Sequence, residues 1–221
     1  MIICAAIHGI LTGQTRASWP DEFDAWCVRQ HGVQVRREEI HVLKKEYSAG
    51  PFPRLNWIKN RRLAAGLVEE IFLLAEAGRN ARAPIWFVAH SNGCVIALMA
   101  ARMLIERGIR VDGMILTGAA CESDVRRNGI LRWVEFGQLG QAVALSSAED
   151  GVVSLKGIMR WVKWPYGDLG RVGWQINGKA YASAGIRTIW TVGGHCGYFA
   201  PDRMAGTFWT FVDLMTRGGK R

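Results

Sequence analysis

The segment Ile85-Trp86-Phe87-Val88-Ala89-His90-Ser91-Asn92-Gly93-Cys94-Val95-Ile96-Ala97-Leu98 passes from an apolar run through small and polar residues into a second run of helical spacing. A serine on such a strand-to-helix turn is held in a strained conformation that lifts its hydroxyl above the sheet. Tight packing there demands small residues two before and two after it. Ala89 and Gly93 meet that demand. The helix that follows also directs free N–H groups, and the positive end of its dipole, at the reacting oxygen. Ser91 is therefore the candidate nucleophile.

A serine nucleophile needs a base to take its proton and a carboxylate to orient that base and stabilise it as imidazolium. His195 lies in the glycine-rich stretch Val192-Gly193-Gly194-His195-Cys196-Gly197, after the last apolar run, and Asp150 follows the fifth. Both fall at the carboxyl edge of a parallel sheet, as Ser91 does, where such folds bind their ligands. Glu149, and Glu122 or Asp124 after the preceding strand, are the alternative carboxylates. His31 sits near a helix end and His41 in a charged strand, while His90 reads as structural. Cys94 and Cys196 read as small buried hydrophobes rather than nucleophiles. The loop that opens with His8-Gly9 leaves the first strand beside the Ser91 turn. It can supply one backbone N–H which, with that of Asn92, would make two donors for an oxyanion.

Six β-like runs position these residues: 2–8, 34–43, 85–90, 112–117, 141–146 and 186–192. Four are nearly continuous in apolar residues, as strands buried on both faces should be. Helical patterns lie between them at 20–31, 56–78, 92–107 and 201–217, the last two closed by Gly108 and Gly218. Alternation of this kind predicts a parallel sheet covered on both faces, a three-layer α/β/α sandwich. The stretches 122–140 and 154–184, rich in Trp, Gly and basic residues, read as cap insertions on one domain spanning 1–221. Within the second, Leu155, Ile158, Met159 and Val162 recur at helical spacing. The loop 47–53 is a candidate apolar wall.

The chain has 221 residues, 49% hydrophobic and 21% charged, which excludes a disordered protein and suits a single core. Its five cysteines are odd in number and lack any C-x-x-C pair, so neither a disulfide framework nor a zinc site is expected, and the reading is a reducing, cytoplasmic setting. No stretch offers the ~20 apolar residues of a bilayer span. A net charge of +9 favours acidic partners, and an anionic membrane or polymer surface is the alternative partner to a small molecule. The basic residues are scattered and carry no nucleic-acid motif, so no nucleic-acid partner is expected.

On the His8-Gly9 turn, Ala89-His90-Ser91-Asn92-Gly93, Glu149-Asp150-Gly151-Val152-Val153 and Gly194-His195, in that order, the chain resembles a minimal α/β-hydrolase, similar to the small esterase and lipase-like members. The resemblance implies a mostly parallel six-stranded sheet that starts at the strand coming third in full-size members, the first two being missing. It implies Ser91 as nucleophile, His195 as base, Asp150 as acid, and the N–H groups of Ile10 and Asn92 as oxyanion hole. The expected activity is hydrolysis of a small carboxylic ester through an acyl-enzyme, with neither metal nor organic cofactor. A thioesterase, a lipase-like enzyme or an acyltransferase would use the same triad. From another class, a non-catalytic module docking on an anionic surface is the rival.

Overall fold

The computed structural model describes residues 1–9, 19–30, 40–45, 53–77, 83–154 and 167–218. In chain order these form β1 (Ile2–Ile7), α1 (Trp19–Gln30), β2 (Ile40–Lys45), α2 (Pro53–Ala77), β3 (Ile85–His90), α3 (Gly93–Glu106), β4 (Gly113–Thr117), α4 (Ile130–Glu135) and β5 (Ala142–Ser146). Then come two short helices, α5 (Gly151–Ser154) and α6 (Leu169–Val172), a hairpin of β6 (Gln175–Ile176) and β7 (Lys179–Ala180), β8 (Ile186–Trp190) and α7 (Met204–Gly218).

Six strands join in the order β2-β1-β3-β4-β5-β8, and every pairing is parallel. β1, β3, β4 and β5 are buried along their whole length, which is why their sequences are continuous in apolar residues. Alternation divides each strand between two cores. Ile3, Ala5 and Ile7 of β1 face a core shared with Leu67 and Ile71 of α2 and the small residues of α3. Ile2, Cys4 and Ala6 face the other way, into a core of Trp19, Phe23 and Trp26 from α1 and Phe208 and Phe211 from α7. The three-layer parallel sandwich expected from the sequence is the fold observed.

β2 meets the expected run over 40–43 and continues past it to Lys45. Its described span is Ile40–Lys45, whereas the sequence pattern centred on 34–43, of which 34–39 lie outside the described residues. The strand lies at the sheet edge, where charge is tolerated. Lys44 Nζ reaches Asp21 Oδ1 at 3.0 Å and Asp24 Oδ2 at 3.1 Å on α1, and Lys45 pairs with Glu70 on α2. α7 starts later than its Pro201-Asp202 signal, because 201–203 form a turn before the helix proper. α3 stops where Gly108, at φ 75°, lets the Ile109 N–H return to the Leu104 carbonyl at 2.9 Å.

Residues 122–140 contribute Val125, Ile130, Trp133 and Leu139 to the core beneath α3, and Leu169 and Trp174 join the same core. The Leu155–Val162 face, the loop 47–52, Ile10 and His31 lie outside the described residues. Among the described residues no helix is long and apolar enough to cross a membrane.

Candidate active site

The turn after β3 holds Ser91 at φ 55°, one of two non-glycine residues with positive φ among the described residues. A left-handed conformation costs an L-residue about 1–2 kcal/mol, so the surroundings must impose it. They do so through the backbone: the Ser91 N–H donates to the Thr117 carbonyl at 3.0 Å, and the Ser91 carbonyl accepts from Cys94 N–H at 3.1 Å and Ala120 N–H at 3.3 Å. Two glycines let the exit of β1 approach this turn. A Cβ on Gly93 would lie 2.6 Å from the Ile7 carbonyl oxygen, and one on Gly9 would lie 2.6 Å from the Ser91 Cβ. Gly9 and Gly93 are therefore required by close approach, and Ala89, fully buried, completes the small-residue set read from the sequence.

β5 delivers Asp150. Past Ser146 the chain turns through Ser147, whose carbonyl accepts the Asp150 N–H at 3.0 Å, and Asp150 is 1% exposed. β8 delivers the histidine. His195 Nδ1 lies 2.9 Å from Asp150 Oδ2 and 3.1 Å from Oδ1, and His195 Nε2 lies 2.9 Å from Ser91 Oγ. An ionised carboxylate only accepts, so Nδ1 carries the ring proton and Nε2 is left to accept the Ser91 hydroxyl. The three side chains read from positions 91, 150 and 195 thus meet in one hydrogen-bonded line at the carboxyl edge of the sheet.

The alternative carboxylates are occupied elsewhere. Asp124 accepts the N–H groups of Arg126 at 2.9 Å and Asn177 at 3.2 Å, and these backbone bonds hold its carboxyl below the usual range. Glu122 accepts from its neighbour Asp124 N–H at 3.2 Å. Glu149 serves the histidine loop rather than the histidine: its Oε2 accepts the Gly193 N–H at 3.0 Å.

Of the two expected oxyanion donors, Asn92 lies at the entrance of α3, where its N–H donates no backbone hydrogen bond among the described residues. Ile10 lies outside the described residues. The Asn92 side chain is buried and exchanges amide hydrogen bonds with Asn60 of α2 at 3.3 and 3.4 Å, so the turn is fastened to the neighbouring helix.

Several residues around His195 carry no sequence signal of their role. Gly118, at φ 48°, lies so near the histidine that an added Cβ would stand 3.1 Å from the His195 carbonyl oxygen and 3.3 Å from its Nδ1. Tyr198 O–H donates to the Leu145 carbonyl at 3.0 Å, and Arg203 Nη1 donates to the Val192 carbonyl at 2.7 Å.

Burial pushes the Cys94 thiol well up, as expected of a small hydrophobe. Cys196 corrects the expectation of burial: it is exposed, because the Gly193-Gly194 turn that swings His195 inward leaves the next side chain facing solvent. Among the described residues no group of three or more His, Cys, Asp or Glu could hold a metal ion.

No family model and no curated protein matches the chain. Solved structures do. A bacterial heroin esterase matches over 100% of this chain and 75% of its own at 16% identity and TM-score 0.53, and an arylesterase over 99% and 77% at 11% and 0.54. A protein of Agrobacterium vitis S4 matches over 96% and 87% at 13% identity and TM-score 0.51. With the sheet order above, these similarities give the chain the α/β-hydrolase fold.

Proposed function

We infer that the protein is a serine hydrolase that cleaves small carboxylic esters through an acyl-enzyme on Ser91. The observation that supports this most directly is the unbroken line from Asp150 through His195 to Ser91, with 2.9 Å at each closest contact. In this reading Ser91 Oγ attacks the ester carbonyl carbon while its proton passes to His195 Nε2. Asp150 stabilises the imidazolium so formed. The oxyanion of the tetrahedral intermediate takes hydrogen bonds from the N–H groups of Asn92 and Ile10, at the positive end of α3. Collapse expels the alcohol, which leaves with the proton from His195. Water, deprotonated by the same histidine, then attacks the acyl-enzyme, and the acid departs as Ser91 recovers its proton.

The fold similarity alone does not choose a substrate. Two of the similar proteins are an esterase of heroin and an arylesterase, which makes carboxylic esters the first compounds to test. No step calls on a metal or organic cofactor. The five cysteines, odd in number and without a C-x-x-C pair, support a reducing, cytoplasmic setting.

Treatment of the purified protein with a fluorophosphonate probe, with the adduct located by mass spectrometry, tests the assignment. A single adduct on Ser91, absent in Ser91→Ala, is the expected result. A folded protein that stays unlabelled, or a Ser91→Ala variant with undiminished ester turnover, would overturn it. A chain-length series of nitrophenyl esters, run with and without competing alcohols, then separates hydrolysis from acyl transfer.

A further inference from the structure

His90 precedes the nucleophile and points the opposite way from it, into the core, where it is 2% exposed. Its surroundings are aromatic: the rings of Phe199 and Tyr198 meet it edge-on at 5.3 and 6.4 Å, and His8 lies at 6.4 Å. A phenylalanine would fill such a site without desolvating two ring nitrogens. One of them, Nδ1, is indeed buried without a partner among the described residues, a loss worth about 1–3 kcal/mol in buried groups generally. The other is used once: Nε2 lies 2.9 Å from the carbonyl oxygen of His195. A carbonyl only accepts, so Nε2 carries the proton and Nδ1 is left as the orphan. The polarity of the side chain is accounted for by that single bond.

We propose that His90 is a positioning residue, whose Nε2–H holds the His195 carbonyl and thereby fixes the base between Asp150 and Ser91. This rests on the reading of His195 as base. The bond spans from β3 to the loop after β8, so it ties the base to the same strand that carries the nucleophile. The two rings stand 4.8 Å apart, tilted by 44°, and a Cβ at Gly118 would crowd both residues, at 3.3 Å from His90 Nε2 and 3.3 Å from His195 Nδ1. Glu149, through Gly193 N–H, fastens the same loop two residues earlier. His195 is thus restrained at its carbonyl, at its Nδ1 and along the approach to its ring. Burial, then the His195 ring nearby, depresses the His90 pKa to about 3, so the group keeps no charge beside the base.

Three substitutions separate positioning from packing. Gln carries its amide nitrogen the same three bonds from Cβ as imidazole Nε2, Asn falls one bond short, and Phe keeps the ring but has no donor. The readouts are kcat and KM on a nitrophenyl ester and the downfield proton resonance of His195 Nδ1–H against Asp150. His90→Phe and His90→Asn are expected to lose roughly 10–100-fold in kcat with KM unchanged, the size of effect that small misplacement of a reacting group produces, and to lose the resonance. His90→Gln is expected to keep both. Should the Phe variant fail to fold, the Asn and Gln pair carries the comparison. Retention of rate and resonance in all variants overturns the proposal, and so does a Gln variant as impaired as Phe, which would make the role one of ring packing. The resonance does not depend on turnover: absence of ester hydrolysis in the native protein would count against the Ser91 assignment, while the resonance series would still decide the role of His90.

Discussion

The two faces of the sheet are packed by opposite means. Under α3 the contact residues are small: Gly93, Ala97, Ala100 and Ala101 are all buried, and the Ser91 turn is pressed against the exit of β1 at backbone distance. Under α1 and α7 the core is aromatic, with Phe23 lying 5.1 Å from Phe208 and 5.7 Å from Phe211, centroid to centroid. Small residues allow close helix-to-sheet approach and fix geometry, whereas large aromatic rings bury more area. Precision at Ser91 and gross stability are therefore drawn from different faces, and the two should be separable by mutation.

The largest expected effect is on the aromatic face. Phe23→Ala removes a fully buried ring and is expected to cost about 3–5 kcal/mol by urea unfolding while leaving kcat unchanged well below the melting temperature. A parallel loss of kcat would show that the faces are not independent. Gly93→Ala should do the reverse: about 1–3 kcal/mol of overpacking against the Ile7 and His8 carbonyls, together with a loss of fluorophosphonate labelling at Ser91 out of proportion to that cost. Full labelling of this variant would mean that close approach does not set the serine geometry.

The third effect, the smallest per pH unit, concerns acid. His90 faces the aromatic side, and the ionisable groups bearing on it are His195, His8 and Asp150. Its pKa falls from an ordinary 6.5 to about 3 on folding, by burial first and the His195 ring second. Between those values the unfolded chain binds a proton that the native protein does not, so stability declines as pH falls through that window, by up to about 1.4 kcal/mol per pH unit. Above pH 6.5 the contribution is complete. Urea unfolding of native protein and His90→Gln from pH 7 to 4 should diverge by that slope; parallel curves would refute it. Buried thiols on the α3 side, Cys94 and Cys121, have raised pKa values and are silent in this range.

How much of this was legible follows from the range of the interactions. β1, β3, β4 and β5 announce themselves because burial on both faces leaves an unbroken apolar run. Ser91 was readable from its own neighbours, and Asp150 and His195 from their places after strands. β2 is legible only weakly because, at the edge, its alternation competes with the charges of Lys44 and Lys45. The β6–β7 hairpin falls inside the stretch read as a cap insertion, although Asn177-Gly178, with φ of 50° and 75°, is the pair such a tight turn requires. The supports of His195 were not legible at all. Glu149 meets Gly193 from 44 residues away and His90 meets His195 from 105, separations at which only the folded sheet defines a neighbour.

That separation has a kinetic side. Ser91 and His195 are 104 residues apart, and the histidine arrives only when β8, the last strand in sequence, pairs with β5 at the sheet margin. Parallel pairings of this range are slow to form. On the proposed roles, recovery of labelling at Ser91 during refolding follows that docking, so the probe reaction would double as a clock for the final strand, and a nascent chain emerging up to β5 would hold a serine with nothing yet to activate it.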